Sequence, residues 1–481
     1  MISKKIFTAI ILMSMLQVRE LTCSMTEHKL TEFRAKLEAM AASPSPSPSL
    51  QPNSSVTKTN GRVFYPIGYG ADPSGVQDSS DAILQALNDA FQVQTTLQML
   101  PGVTDLGGVV IDLQGGNYKI SQPIRFPASG GGNFVIKGGS FRASDTFPVD
   151  RYLIEVWSPK SDQNVGFYYE DITFRDILFD SSYRGGGIFI IDSVRIRINN
   201  CFFLHFSTQG ILVRRGHETY ISSCFLGQHS TVGGDKGERS FSGTGIQLSS
   251  NDNSITDVAI FSAAVGILIQ GQANIVTGVH CYNKATGFGG VGILVKSTGS
   301  LTRIDNCYLD YNAIVMEDPF QVHVTNGFFL GDANVVLKSI KGHISGLNIV
   351  NNMFKGNPRN MVPIIQLDGE FSSINQVVIE QNSANGMSLK STVAKMVVAG
   401  NGTKWVADFS SLLVFPNRIH HFHYSFQFHD QAAGGWPRFP SHAVTNSSNN
   451  VVVIESEEAV NGLVSVAVDQ YNFIGETNVS F

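Results

Sequence analysis

Carboxylates gather in the stretch RIDNCYLDYNAIVMEDP (Arg303–Pro319), where Asp305, Asp310, Glu317 and Asp318 surround one cysteine and a short apolar run. A pair of carboxyl groups flanking a sugar linkage is what acid–base cleavage of a glycan requires. The same side chains also make ordinary turns by bonding their own backbone. Further acids stand at Asp332 and, within GQHSTVGGDKGERSFSG (Gly227–Gly243), at Asp235 and Glu238. Which reading holds depends on the elements that aim each side chain.

Those elements repeat. From about Phe167 the chain runs through units beginning at Gly187, Gly210, Gly245, Gly266, Gly292 and Ala313, spaced by 23, 35, 21, 26 and 21 residues. Examples are GIFIIDSVRIRINNCFFLHFSTQ and GILVKSTGSLTRIDNCYLDYNA. A period in the low twenties with short apolar strands in each unit predicts a parallel β-helix, an all-β solenoid. The 35-residue unit carries the Gly-rich, charged insertion Gly227–Gly243, expected to leave the coil as a loop. Cys201 and Cys224 fall 14 residues after their unit's first residue, Cys281 and Cys307 15 after theirs. Equivalent positions on neighbouring coils stack at about 4.8 Å. Two stacked pairs are therefore expected, Cys201 with Cys224 and Cys281 with Cys307, either bridged or as free inward thiols. Asn200, Ser223 and Asn306 precede three of these cysteines and His280 the fourth, which predicts a hydrogen-bonded turn ladder at one corner.

Lys4 and Lys5 followed by the apolar run Ile6–Leu16 read as a secretory signal, with an N-terminal anchor as the alternative. Sequons at Asn53, Asn401, Asn446 and Asn478 fit export. The expected organisation is a signal over 1–24, an amphipathic helix and Ser/Pro-rich linker over 25–62, the β-helix over 63–415, and a C-terminal β-rich cap over 416–481. The body opens with GYGADPSGVQDSSDAILQALNDAF (Gly68–Phe91), a Gly-rich turn and then a helix with Ile83, Leu84 and Leu87 on one face. Near the other end, RIHHFHYSFQFHD (Arg418–Asp430) alternates histidines and aromatics as an exposed strand does, and no metal or cofactor is expected. With 34 basic against 39 acidic residues and a net charge of −5, nothing argues for a nucleic-acid partner. No membrane partner is expected once the signal is removed, and a monomer is expected.

The segment YGADPSGVQDSSDAILQALNDA and the coils of the pattern GI…I.I.NC.F resemble the pectate-lyase-like β-helix superfamily. The leader, the Ser/Pro linker, GGDKGE and NKATGFGGVGILVK resemble, within it, the plant QUARTET-type polygalacturonases. The resemblance spans about Phe64–Phe415. It implies a right-handed β-helix with an N-terminal capping helix, secreted to the cell wall. It also implies hydrolysis of α-1,4-linked galacturonan, the backbone of pectin, in the pollen mother-cell wall during microspore separation. The large polygalacturonase hydrolase family carries Asn-Thr-Asp, Asp-Asp, Gly-His-Gly and Arg-Ile-Lys motifs, and none occurs here. Catalytic residues therefore do not transfer from that family.

An inverting hydrolase needs its acid and base roughly 6.5–9.5 Å apart. Asp310 and Asp332, before successive strands and about one rung apart, are the rung candidates, with Glu317 along the strand after Asp310. Asp235 and Glu238 are loop candidates able to lean over a rung. Turn bonding is the alternative for each rung acid, and a solvated charge for each loop acid. A substrate with a carboxylate on every sugar calls for cations along the groove, and Arg184, Arg214, Lys296 and Lys338 lie on or beside one strand column. Two other activities stay open: a pectate lyase, which needs a Ca²⁺ cluster, and a non-catalytic β-helix that binds wall polysaccharide.

Overall fold

The computed structural model describes residues 57–93, 95–159, 166–228, 242–283, 290–428 and 440–471. The expected signal, the helix Met25–Met40, the linker, Asn53, Asn478, Asp235 and Glu238 lie outside them.

Short strands pair in parallel, coil upon coil, in one continuous 33-stranded ladder. Each coil contributes a strand to each of three faces, and parallel crossovers of this kind are right-handed. The first sheet stacks Tyr152–Val156, Gly186–Ile191, Gln209–His217, Ser242–Asn251, Ala263–Ile269, Val291–Val295, Ala313–Glu317, Asn334–Lys338 and Ile365–Asp368. The second includes Arg197–Asn199, Tyr220–Ser222, Ser254–Thr256, Ile275–Thr277 and Thr302–Asp305; the third includes Phe202–Leu204, Phe225–Gly227, Ala259–Phe261, His280–Tyr282 and Tyr308–Asp310. The protein is a right-handed parallel β-helix, as the repeat and the resemblance imply.

The core follows from the pattern. Ile188, Ile211, Ile246, Ile267, Ile293, Ile314 and Val335 are successive Cα partners, all fully buried. β-branched side chains suit such stacking, and each contributes about 1.5–3 kcal/mol over exposure. The glycine column Gly187, Gly210, Gly245, Gly266 and Gly292, near the start of five successive first-sheet strands, has its own cause. A Cβ on Gly187, Gly210, Gly245 or Gly266 would stand 2.4–2.8 Å from the carbonyl oxygen of the next glycine in the column. Between those glycines the coils pack too closely for a side chain.

The N-terminal end is capped by the helix Ser80–Phe91, which buries Ile83, Ala86, Leu87, Ala90 and Phe91, while Leu84 packs half-buried against the core. Asp72 accepts hydrogen bonds from the amides of Ser74, Val76 and Gln77, which lower its pKa to about 2. The ADPSG motif is thus a turn that delivers the chain into the cap.

The corner between the second and third sheets is uniform. Asn200, Ser223, Asp257, Gly278, Asn306, Asn326 and Asn351 all occupy the left-handed region, φ 51–65°. Small polar residues tolerate that conformation, so the expected turn ladder is there, but His280 is not part of it. His280 lies on the third sheet, its ring stacked 4.2 Å from that of Tyr308, and burial lowers its pKa to about 3.

The four cysteines among the described residues are free, buried thiols. Cys201 and Cys224 do stack, with the Cys201 amide 3.4 Å from the Cys224 sulfur. Cys281 and Cys307 do not. Cys281 is the Cα partner of Leu309, and His280 is that of Tyr308, the residue after Cys307. The turn after Val295 is longer than the one after Ile269, which shifts the register between those coils.

The change of architecture comes earlier than the expected 416. A four-stranded antiparallel sheet is formed by Val393–Asp408, His421–Phe428, His442–Asn446 and Val451–Asp469. Its first strand alternates polar and apolar residues around a separate core of Trp405, Ala407, Val452, Ile454 and Val464. It was hidden in sequence by its length and by Gly400 and Gly402. No helix among the described residues is long and apolar enough to cross a membrane.

Candidate active site

The outward face of the first sheet forms a long floor. One column of side chains runs Arg125, Glu155, Phe189, Leu212, Gln247, Leu268, Leu294, Val315 and Val336 as successive Cα partners. A hydrogen-bonded amide chain crosses it: Tyr152 Oη donates to Gln209, whose Nε2 donates to Gln247 at 3.0 Å, and Gln247 Nε2 donates to Gln270 at 2.9 Å. Amides bridging coils fix side chains that would otherwise sample many rotamers.

A second, charged column edges the floor where the first sheet turns toward the second. Arg214 lies opposite Ser249, whose hydroxyl donates to Gln270 at 2.6 Å. Farther along, Lys296 Nζ is 2.8 Å from both carboxylate oxygens of Glu317. Lys338 is the Cα partner of Glu317, and Asp368 that of Lys338. Three of the four cations singled out in the sequence therefore share one edge. Arg184 does not; it sits at the corner between the third and first sheets, and its Nε donates to the Phe147 carbonyl at 2.7 Å.

The acids of the opening stretch are sorted by this geometry. Asp305 accepts from Thr325 Oγ1 at 2.7 Å and Asn326 Nδ2 at 2.8 Å, at the uniform corner. Asp318 is buried and accepts amide hydrogens from Ile340, Lys341, Gly342 and His343 on the next coil. Burial opposes its ionisation, but those amides together hold its carboxyl below the usual range. Asp310 ends the third-sheet strand, with Tyr282 and Leu330 as Cα partners. Glu317, buried and paired with Lys296, ends the following first-sheet strand. That strand is about 13 Å from end to end at about 3.3 Å a residue, so Asp310 and Glu317 lie too far apart to be an acid–base pair.

Asp332 is not one rung above Asp310 in register, because the turn after Leu330 is one residue longer than the turn after Asp310. Its Oδ1 accepts the Asn357 amide and its Oδ2 accepts Asn360 Nδ2, both at 2.6 Å. It thereby staples the segment 356–363. Asp235 and Glu238 belong to the insertion whose described ends, Gln228 and Ser242, meet at the same third-to-first corner. There Gln228 Nε2 donates to the carbonyls of Phe206 and Ser242 at 2.6 Å.

That corner also holds a pair that the sequence reading missed. His205 Nδ1 lies 2.8 Å from Asp180 Oδ1, which also accepts the Ser182 amide at 2.9 Å. Burial works to raise the Asp180 pKa, but the His205 bond, its charge, the Ser182 amide and Arg142 outweigh it and hold the carboxyl below its ordinary value. An ionised Asp180 can only accept, so His205 Nδ1–H donates to it and Nε2 is left as an acceptor. The Tyr183 ring stands 4.8 Å from that of His205. Ser182 and Tyr183 both have positive φ, 48° and 59°, a strain that recurs at working sites. Counting back from the end of each third-sheet strand, instead of three residues from each glycine, would have found Asp180. No group of three or more His, Cys, Asp or Glu among the described residues is placed to hold a metal ion.

No family model matches the chain. Polygalacturonase QRT3 of Arabidopsis thaliana is 50% identical over 447 residues, which is 92% of this chain and 90% of that protein. The chain belongs to the QRT3 family of polygalacturonases. Solved structures of the tailspike protein of E. coli bacteriophage HK620, one a mutant in complex with a pentasaccharide and one a double mutant, each align with a TM-score of 0.50 at 11% identity. They cover 91% and 92% of this chain and 100% of their own chains. At that identity the likeness shows the β-helix alone. Within the QRT3 family, then, this chain presents an outward first-sheet floor, a charged edge on one side and an acid- and histidine-bearing corner on the other.

Proposed function

We propose that the protein is a secreted polygalacturonase that hydrolyses the α-1,4-galacturonan of plant cell-wall pectin and serves pollen mother-cell wall breakdown and microspore separation. One observation carries the reading: half identity to polygalacturonase QRT3 over nine-tenths of both chains. The chain is a glycoside hydrolase that works outside the cell as a monomer, with glycans at Asn53, Asn401, Asn446 and Asn478; Asn401 and Asn446 are exposed. The polymer lies on the first-sheet floor. Its carboxylates face Arg214, Lys296 and Lys338 at the edge and Arg184 at the corner, which supplies the charge-assisted bonds a polyanion needs. Acid and base come from the third-to-first corner, from Asp310 and the loop residues Asp235 and Glu238. His205, oriented by Asp180, is the described group best set to move a proton. Glu317 contributes as a carboxylate paired with Lys296, and Asp332 by stapling the neighbouring loop.

Incubation of the purified protein with polygalacturonic acid tests this. New reducing ends without an unsaturated, ultraviolet-absorbing product are expected. An unsaturated product would mean a lyase, and no product would mean a binding protein.

A further inference from the structure

Arg125, Glu155 and Phe189 head the floor column, and beside them a depression of about 310 Å³ opens between Arg125, Arg151, Trp157 and Phe189. Its centre is a buried carboxylate. Glu155 is 3% exposed and accepts from Arg125 Nε at 3.1 Å, Arg125 Nη2 at 3.0 Å, Arg151 Nε at 2.7 Å and Arg151 Nη2. One anion thus orients two cations. The arginine side chains remain 38% and 35% exposed; each bonds Glu155 through its Nε and Nη2 edge, which turns the Nη1 side away, and among the described residues neither makes another ion pair. The Arg125 guanidinium lies 4.3 Å over the Trp157 ring, and the Tyr152 and Phe189 rings pack 5.4 Å apart.

Two guanidinium groups around one buried carboxylate leave an excess positive charge at the floor of an open cavity. Asp150, exposed at the rim and without an ion pair among the described residues, offsets it only through solvent. Planar donor forks beside aromatic faces suit a ligand with a carboxylate on one side and an apolar C–H face on the other. A uronic acid ring has both. The floor column runs unbroken from Glu155 to Leu294, beside Lys296, over five coil steps or roughly 24 Å at about 4.8 Å each. Only a polymer spans that distance.

We infer that this cluster is a distal uronate subsite, which grips a galacturonan chain far from the charged edge at Lys296 and Glu317 and so favours long substrates. The inference rests on the proposed substrate. Affinity electrophoresis in the cold, through gels carrying polygalacturonate or its carboxyl-reduced, neutral form, tests it with three variants of the full chain. Arg125→Gln and Trp157→Ala are expected to weaken polygalacturonate binding about tenfold. Asp150→Asn, a surface change that spares the fold, is expected to tighten it roughly two- to fivefold. Binding of the neutral polymer is expected to be unchanged by Arg125→Gln and Asp150→Asn, while Trp157→Ala, which removes an aromatic face, weakens it less than it weakens polygalacturonate binding. No shift in any variant, or equal shifts of Arg125→Gln and Asp150→Asn for charged and neutral polymers, overturns the subsite. Reducing-end release by the unaltered protein is measured separately. Its absence alongside the expected binding shifts would sink the hydrolase and leave the subsite standing.

Discussion

Two corners of the same coil use the same residue types in opposite ways. Between the second and third sheets every turn is short and every coil repeats it, with Asn200, Ser223, Asp257, Asn306, Asn326 and Asn351 in one backbone conformation. Their side chains bond up and down the stack, as Asn200 does to Asp176 and Asn326 to Asp305. Between the third and first sheets the connections range from Ser262 alone to the segment 228–241. That corner collects Asp180, Tyr183, His205, Asp310 and Asp332. Where the turn is invariant, its polar residues answer to the backbone. Where length varies from coil to coil, side chains meet partners that do not repeat, as Asp180 meets His205 and Asp332 meets Asn357 and Asn360. Asp305 and Asp310, five residues apart, fall on opposite sides of that division.

The contrast breaks first on the variable corner. Singly substituting Asp310→Asn, Asp235→Asn and Glu238→Gln should lower kcat by about a hundredfold or more for at least one of them, with thermal midpoints unchanged. Full activity in all three removes those carboxylates from the mechanism. His205→Gln is expected to cost about tenfold to a hundredfold in kcat, read from initial rates.

The uniform corner should respond in stability alone. Asn352 is buried, accepts the Gly327 amide at 2.8 Å and donates to the Val324 carbonyl at 3.0 Å. Asn352→Ala should cost about 2–3 kcal/mol in denaturant unfolding, because it strands buried backbone groups; a changed kcat per folded molecule would blur the two corners. Asp305→Ala, half-buried with two bonds, should cost only about 1 kcal/mol and leave turnover intact.

The smallest effect is on pH. The Asp180 carboxyl titrates below its ordinary value, so its stabilising contribution is full above the usual carboxylate range. It is lost as pH falls through the lowered value. Asp180→Asn should therefore flatten the acid side of the stability profile; an unaltered profile would show that the pair with His205 adds nothing to folding.

Much of this was legible in the chain. The coil period, the inward Ile column, the glycine column from Gly187 to Gly292 and the polar corner are all consequences of one local rule. A residue's role recurs whenever the next coil brings an equivalent backbone environment about 4.8 Å away. The charged edge of Arg214, Lys296 and Lys338 was visible for the same reason, since it keeps a fixed offset from the apolar strand.

What the sequence could not determine depends on small differences in turn length. One longer turn puts Cys281 beside Leu309, away from Cys307, and one extra residue after Leu330 turns Asp332 from a rung partner into a loop staple. The tertiary structure also decided that Lys296 faces Glu317, that Arg125 and Arg151 share Glu155, and that His205 meets Asp180 from 25 residues away. Those contacts form across coils, where distance is set by the stacking of backbones and not by position along the chain. Period and polarity are local properties and can be read from residue order; register accumulates over every turn before it, so only the folded coil fixes which charges meet.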